Sequence, residues 1–229
     1  MDRPEKTRVM TEGLLELTEH HRSRCEDYRR IVDGLGYDPK NIRDYYDIPM
    51  MPVRLFKERE LKSINDDQIF KTMTSSGTTG QQVSKIFLDE QTAANQQLTL
   101  AKIVGSDTGK SRLPMIIIDC PSVIRNRAMF SARGAGILGF SIFGSRRIYA
   151  LDDDMNLNID GIREFLEKHK GERILLFGFT FMIWQYFYRE LLKLSEPLDL
   201  SNGILIHGGG WKKLQNEAVS KEEFKTRLR

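Results

Sequence analysis

The sequence contains few cysteines, no marked excess of charge of one sign and no long apolar run. Two cysteines, Cys25 and Cys120, in 229 residues are too few for a disulfide framework and favour a reduced, cytoplasmic compartment. The N-terminal residues MDRPEKTR lack the apolar stretch of a signal peptide. The longest apolar run, residues 174–188, is interrupted by Gln185 and is shorter than the roughly 20 residues that a membrane span requires. We therefore expect no membrane span.

The charge distribution argues against a nucleic-acid-binding protein. The net charge is only +3, and the 35 basic residues alternate along the chain with 32 acidic ones. Because this pattern forms no patch of one sign, we expect no nucleic acid as a partner. A hydrophobic content of 40% in a chain of this length is sufficient for one large domain or two small ones with a buried core.

Apolar segments of strand length alternate with helical patterns in the second half of the chain. Strands are expected at 115–119, 147–151, 174–177 and 203–206, with helices at about 159–169, after a cap at Thr180 and after a capping box at Ser220. The alternation predicts an α/β fold with a mainly parallel sheet flanked by helices. We assign residues 71–229 to this α/β nucleotide-binding region.

Residues 1–70 are predicted to form a helical lead-in region. Apolar residues at spacings of three and four predict one long helix over the first 35 residues, and residues 36–70 read as loop with short elements. His21 and Cys25 lie on the apolar face of the predicted helix. They could form a catalytic pair, but no third group that would orient the histidine is near, so packing in the core is favoured.

A segment rich in hydroxyl groups and glycine has the composition of a phosphate-binding loop. It consists of Ser75, Ser76, Gly77, Thr78, Thr79 and Gly80, followed by Lys85. Glycines allow successive backbone N–H groups to point at an anion, the hydroxyl groups add donors, and the lysine supplies a positive charge. A flexible turn would also be rich in serine and glycine, but it would not require the lysine.

This loop is not a Walker A motif, because the spacing of its glycines differs. The nearest match to that motif is residues 105–111, which has one residue too few between its glycines. It is also preceded by a predicted helix, from about Glu90 to Val104 with Asp89 as its cap, and followed by a predicted strand, which inverts the order of a P-loop. We interpret it as a surface turn.

A second glycine segment, His207-Gly208-Gly209-Gly210, follows the last predicted strand. Some esterases use such a segment in an oxyanion hole, but they also require a Gly-x-Ser-x-Gly nucleophile elbow, which this sequence lacks. A glycine run after a buried strand also suits a flat ligand, such as a purine ring, that packs against backbone.

With both glycine segments considered, the chain resembles the acyl-protein synthetase (LuxE) family of adenylate-forming enzymes over nearly its whole length. The resemblance is carried by IPMMPVRLFK at 48–57, TSSGTTGQQVSK at 74–85, ARGAGILGF at 132–140, FGFTF at 177–181 and HGGGWKK at 207–213. It implies the N-terminal part of an adenylate-forming enzyme. TSSGTTG with its downstream lysine is a marker of adenylate formation in general, whereas HGGGWKK points to this family.

The resemblance implies that a carboxylate attacks the α-phosphorus of ATP and that a thiol then takes the acyl group. ATP and Mg²⁺ are the expected cofactors, and in members from luminous bacteria the acid is a long-chain fatty acid. Carried over by position, Lys85 and Thr78 would be catalytic, and the remaining phosphate ligands would be Ser75, Ser76, Gly77, Thr79 and Gly80. The adenine would lie against Gly208, Gly209 and Gly210.

The acid and the thiol acceptor are less closely defined. Gly178 and Thr180, at the turn from a strand into a helix beside Phe177, Phe179, Phe181, Trp184 and Phe187, are the candidates for contact with the acid. The alternative for these aromatic residues is ordinary core packing. The implied partners are an acyl-accepting protein or a reductase, and a ligase that acts on CoA or an acyl carrier protein stays open.

The resemblance also implies residues that this sequence does not contain. A Tyr-Gly-x-x-Glu segment for magnesium, an aspartate for the ribose, a C-terminal domain with a catalytic lysine and the acyl-accepting cysteine would all follow Arg229. We therefore assign neither Cys25 nor Cys120 as the acyl carrier and expect that this chain does not complete the full reaction cycle alone. Part of a longer enzyme, a shortened relative and a non-catalytic nucleotide-binding module remain open.

Overall fold

The computed structural model describes residues 2–74, 82–109, 112–125 and 132–228. The chain divides into two compact units, Met1–Leu98 and Thr99–Arg229. The boundary predicted between residues 70 and 71 stays a prediction about where the nucleotide-binding region begins. Within the described residues, no helix combines the length and the apolar character needed to cross a bilayer.

The described residues of the first unit form three helices, the start of a fourth and a two-stranded hairpin. The helices are α1 (Arg3–Arg24), α2 (Glu26–Gly34) and α3 (Leu55–Glu58), with short 3₁₀ turns at Pro39–Asn41, Tyr45–Asp47 and Asp66–Gln68. These short elements confirm the expectation for residues 36–70. Strands β1 (Lys71–Thr74) and β2 (Lys85–Leu88) pair antiparallel, with Thr74 opposite Lys85 and Lys71 opposite Leu88.

The prediction of one continuous helix over the first 35 residues is wrong. The backbone of Cys25 is extended (φ −128°, ψ 103°) and separates α1 from α2. The predicted apolar face is buried only in part, since Cys25 and Val32 are buried but Met10 is 40% and Leu17 is 53% exposed. Thr11 and Thr18 are buried instead. Each hydroxyl group donates to the carbonyl four residues earlier, which removes the penalty of burying it.

The proposed pairing of His21 with Cys25 is not observed. Cys25 is buried, as packing in the core predicts, but His21 is not, so this prediction is wrong for the histidine. His21 Nδ1 instead lies 2.7 Å from Ser63 Oγ, and the ring makes an edge contact with Tyr28. Burial, with a smaller contribution from the adjacent His20, lowers the pKa of His21 below its ordinary value.

Helix α4 (Glu90–Thr108) begins in the first unit and ends in the second. Asp89 caps its start by accepting a hydrogen bond of 2.7 Å from the backbone N–H of Thr92, as predicted. The helix extends beyond the expected end. Residues 105–108, which we interpreted as part of a surface turn, form its last turn, and Gly109 follows with a φ of +83°.

The second unit is built on a four-stranded sheet of order β4-β3-β5-β6 in which all neighbours are parallel. The strands are β3 (Leu113–Ile118), β4 (Gly144–Tyr149), β5 (Ile174–Phe179) and β6 (Gly203–Gly208). The accompanying helices are α5 (Ser122–Arg125), α6 (Ala132–Phe140), α7 (Ile159–Lys168) and α10 (Lys221–Arg227). Short 3₁₀ turns occur at Ser141–Phe143 and Lys212–Glu217. The predicted α/β fold with a parallel sheet flanked by helices is confirmed.

One further helical stretch follows β5 directly. It starts as α8 (Thr180–Met182), continues as a π-helix (Ile183–Tyr188) and ends as α9 (Arg189–Leu191). Wider π-helical turns are rare and frequently occur at functional sites. The π-helix therefore makes the end of β5, from which this stretch starts, a candidate position for a functional site.

Alternate residues of the strands build the core on the two faces of the sheet, as a period of two requires. Ile116, Ile118 and Leu176 pack on one face with side chains from α7, the π-helix and α10. Met115, Ile117 and Leu175 pack on the other face against Ile137 of α6. The predicted aromatic cluster is divided in the same way. Phe177 stacks on Phe140 with 4.3 Å between ring centroids, whereas Trp184 and Phe187 lie in the core on the opposite face.

The strand order creates a crevice at the carboxyl edge of the sheet. The chain leaves β3 towards β4 and leaves β5 towards β6, and these connections run to opposite sides of two neighbouring strands. In open α/β sheets, ligands bind outside the carboxyl ends of the strands at such a point. We therefore expect a ligand-binding site at the residues that follow β3 and β5.

Candidate functional site

Thr180 links the end of β5 to the end of β6. Its hydroxyl oxygen lies 3.1 Å from His207 Nδ1, 3.2 Å from the carbonyl oxygen of Gly208 and 3.1 Å from that of Gly209. A hydroxyl group has one proton, so it donates to one carbonyl at a time while its oxygen can accept from the Nδ1–H tautomer of His207. The arrangement fixes the start of the second glycine segment.

The predicted capping role of Thr180 is wrong. Phe179 occupies the N-cap position, and Thr180 is the first residue of the helix, with no capping hydrogen bond from the side chain at the N-cap. The hydroxyl group of Thr180 serves the neighbouring strand instead. Sequence cannot distinguish these two uses, because β6 pairs with β5 only in the folded sheet. The predicted cap at Ser220 is confirmed, since its Oγ accepts from the backbone N–H of Glu223 at 3.0 Å.

Thr180→Val is expected to lower the free energy of unfolding by about 1–2 kcal/mol. Valine has nearly the same shape but leaves the part-buried carbonyls of Gly208 and Gly209 without their donor. Urea denaturation measures the change, and Thr180→Ser, which keeps the hydroxyl group, is the matched control. Equal stability of the valine variant and the wild type would show that this hydroxyl group does not hold the glycine segment.

The three glycines after His207 differ in what surrounds them. Gly209 has a φ of +73°, and a Cβ built on it would lie 3.0 Å from Phe179 Cδ1. A Cβ on Gly208 or Gly210 would meet no atom of the described residues within 4 Å. Gly209 is therefore required by the fold, whereas Gly208 and Gly210 leave open space beside their backbone. A flat ring can approach this backbone, which fits the predicted contact with adenine.

Gly178 has a structural reason to be glycine. A Cβ on this residue would lie 2.9 Å from Ile118 Cβ and 3.0 Å from Ile183 Cγ1. The neighbouring strand β3 and the π-helix can approach only because no side chain intervenes. The geometry thus accounts for Gly178 through packing, and its contact with the acid stays a prediction.

A cavity of about 540 Å³ adjoins Thr180 and His207. Leu205, Trp211 and Phe224 give it a largely apolar lining. The ring of His207 lies 4.9 Å from that of Phe224, and this partial burial lowers the pKa of His207 below its ordinary value. The size and the mixture of apolar walls with a few polar groups are typical of sites for small molecules.

A buried ion pair at the end of β3 was missed by the sequence analysis. Asp119 is 0% exposed, and its Oδ2 lies 3.0 Å from the Nε of Arg133, whose side chain is 27% exposed. Burial raises the pKa of Asp119, while the backbone N–H of Cys120 and the charge of Arg133 act in the opposite direction. The available signal was an acidic residue placed directly after a fully apolar strand.

The first predicted segment lies largely outside the described residues. This applies to Ser75, Ser76, Gly77, Thr78, Thr79 and Gly80. Lys85 is described: it is the first residue of β2, its side chain is 50% exposed, and its Nζ lies 3.8 Å from Glu60 Oε1. An exposed pair at this distance contributes little to stability. The contact of Lys85 with phosphate stays a prediction.

The described residues contain no group of three or more histidine, cysteine, aspartate or glutamate side chains that could hold a metal ion. The expected role of Mg²⁺ stays a prediction.

Comparison with known proteins identifies the family. The sequence model described as "Acyl-protein synthetase, LuxE" matches residues 1–229. The chain belongs to the acyl-protein synthetase (LuxE) family. Within this family it is 22% identical over 218 residues to a long-chain-fatty-acid–luciferin-component ligase of Vibrio harveyi, covering 90% of this chain and 54% of that protein. It is 33% identical over 76 residues to a ligase of the same name from Photorhabdus luminescens, covering 33% of this chain and 65% of that protein.

This member of the LuxE family thus spans about half the length of the Vibrio harveyi relative. The family model matches both glycine segments, because its match extends over residues 1–229. Both relatives are named as ligases of a long-chain fatty acid and a luciferin component.

Proposed function

We propose that this chain supplies the ATP- and acid-binding part of a ligase that activates a long-chain fatty acid as its adenylate and transfers the acyl group to a protein thiol. The family description and the names of the two relatives support the acid and the protein acceptor. The observation that carries the proposal within the structure is the second glycine segment. Its open backbone at Gly208 and Gly210 is fixed by Thr180 and by the left-handed Gly209 at the carboxyl edge of a parallel sheet.

The first segment would bind the phosphates of ATP. Attack of a carboxylate on the α-phosphorus increases the negative charge on the departing pyrophosphate. Backbone N–H groups and hydroxyl groups of residues 75–80, with Thr78 among them, are the donors that suit this charge, and Lys85 adds a cation. Preorganised donors of this kind act without reorganisation during the reaction. Bound Mg²⁺ would neutralise further phosphate charge.

The second segment would bind the adenine. A ring that stacks on peptide backbone requires the absence of side chains at the contact, and Gly208 and Gly210 provide it. The bonds of Thr180 to the carbonyls of this segment keep the backbone in place before the ligand arrives. Such preorganisation reduces the entropy lost on binding.

The test is calorimetric titration with a non-hydrolysable tetradecanoyl-adenylate analogue, compared with the same adenosine compound without its acyl chain and with tetradecanoic acid alone. An analogue that joins both ligands avoids the loss of translational freedom of a second molecule. We expect it to bind at least about 100-fold more tightly than either part. A folded protein that does not bind the analogue would refute the proposal.

A further inference from the structure

The ion pair of Asp119 and Arg133 spans the crevice at the carboxyl edge of the sheet. Asp119 follows the last residue of β3, and Arg133 is the second residue of α6. Arg133 Nη1 also lies 3.5 Å from the Sδ of Met182, in the helix that follows β5. The guanidinium group thus reaches from the end of β3 to the end of β5, the two strands whose connections diverge.

The two charged groups are close but incompletely bonded. Although Asp119 Oδ2 and Arg133 Nε are 3.0 Å apart, neither atom has a well-aligned hydrogen bond within the described residues. The second carboxylate oxygen, Oδ1, accepts from the backbone N–H of Cys120 at 2.8 Å. Buried polar atoms normally find aligned partners, and exceptions require an explanation. A bound ligand that moves the guanidinium group into alignment is one explanation that fits this geometry.

The side chain of Arg133 is partly accessible to a ligand, although its Nε is not. Nε is buried against Asp119, while the side chain as a whole is 27% exposed. The accessible surface therefore lies on other atoms of the side chain. Within the described residues, the terminal nitrogen Nη1 contacts the sulfur of Met182, which is a weak acceptor. A guanidinium group oriented by a buried carboxylate presents a planar pair of donors that matches a carboxylate ligand.

The surroundings of Arg133 favour an anion that carries an apolar chain. Met182 and Cys120 are buried together in one hydrophobic cluster. Gly136, one helical turn after Arg133, lies against the ring of Phe179, since a Cβ on this glycine would be 2.8 Å from Phe179 Cζ. Apolar neighbours of a cation suit a ligand with one anionic head group and an apolar chain better than a polyphosphate, because each charge of a polyphosphate would have to be desolvated.

We propose that Arg133 binds the carboxylate of the acid substrate and that Asp119 is a positioning residue that orients its guanidinium group. The inference rests on the proposed function, because it assigns one ligand of that site. It adds a residue that recognises the head group of the acid.

The test compares the affinities of tetradecanoic acid and 1-tetradecanol, which share the chain but differ in the carboxylate. The wild type should prefer the acid about 10- to 100-fold, the range for a charge-assisted hydrogen bond. Arg133→Gln should abolish the preference while leaving the affinity for the alcohol unchanged. Arg133→Lys should keep part of it, and Asp119→Asn should reduce it. A merely structural role would change both affinities together.

The matched control is Arg163→Gln, because Arg163 also forms an ion pair, with Glu196 at 2.9 Å, but at an exposed position on α7. Its acid preference should equal that of the wild type. If Arg133→Gln does not fold, Arg133→Lys and Asp119→Asn take its place, because they keep a cation or a polar group at each position. The measured quantity is again the ratio of the affinities for tetradecanoic acid and 1-tetradecanol.

The outcomes separate this inference from the proposed function. If the wild type binds the adenylate analogue and prefers the acid, but Arg133→Gln retains that preference, the inference alone is wrong. If Arg133→Gln weakens the binding of ATP and leaves the preference for the acid intact, Arg133 binds phosphate and the inference is again wrong. If the wild type binds neither the analogue nor the acid, the proposed function fails and the inference fails with it.

Discussion

Lys85→Ala should weaken the binding of ATP by about 10- to 100-fold. The lysine is the single fixed cation that the sequence places just after residues 75–80, and a hydrogen bond to a charged group is worth about 1.5–3 kcal/mol. Its only described ion pair, with Glu60 at 3.8 Å, is exposed, so little stability should be lost with it. Calorimetric titration with ATP measures the effect, and the melting temperature without ligand should remain close to that of the wild type.

Lys71→Ala is the matched control for this prediction. Lys71 begins β1 as Lys85 begins β2, but the antiparallel register places Lys71 opposite Leu88, at the end of the hairpin away from residues 75–84. Both variants remove one positive charge from the same hairpin. Equal losses in both variants would reveal a general effect of charge and would remove Lys85 from the site.

Gly209→Ala and Gly208→Ala should separate folding from binding. Gly209 has a φ of +73° and Phe179 as a close neighbour, so a methyl group there should lower the free energy of unfolding by about 2 kcal/mol. A methyl group on Gly208 meets no atom within 4 Å in the part of the chain that the structure describes, so stability should stay within about 0.5 kcal/mol of the wild type. The same methyl group occupies the space predicted for the adenine and should weaken the binding of the adenylate analogue about tenfold or more.

Thermal unfolding and calorimetry on the same two variants measure these effects. The informative result is the opposite ranking of the variants in the two experiments, because a general perturbation of the segment would rank them alike. A Gly208→Ala variant that binds the analogue as tightly as the wild type would exclude contact of the adenine with this backbone.

The sequence predicted the parallel sheet well because buried strands have a local signature. Strand β3 and strand β5 are almost wholly buried, and their apolar runs, bounded by polar or glycine residues, can be recognised without tertiary information. The Asp89 and Ser220 caps were also predictable, since each forms its bond within three residues.

The failures of prediction have two physical causes, which are hydroxyl groups bonded within their own helix and contacts that are distant in sequence. The break at Cys25 and the burial of Thr11 and Thr18 reverse the apolar face of α1, because a hydroxyl group bonded within its own helix can be buried. Thr180 bonds to residues 27–29 positions away. Asp119 and Arg133 are brought together only when α6 packs beside β3. No local periodicity records such pairs.

The candidate site was predictable only where its residues carry local chemistry. Glycine, hydroxyl and lysine residues within the segment from 75 to 85 indicate phosphate, and the run at 208–210 indicates a flat ligand. The different roles of the three glycines required the structure, because the φ of +73° at Gly209 and the open space at Gly208 and Gly210 are properties of the fold.

Hydrogen–deuterium exchange of this chain, with and without the tetradecanoyl-adenylate analogue, tests the central claim most directly. Exchange reports the protection of individual backbone segments. We expect slower exchange both in peptides that contain residues 75–85 and in peptides that contain residues 207–211, with the adenosine compound that lacks the acyl chain protecting the same two segments more weakly. Binding of the analogue without protection of either segment, or with protection confined to other parts of the chain, would contradict the assignment of this chain as the ATP- and acid-binding part of an acyl-protein synthetase.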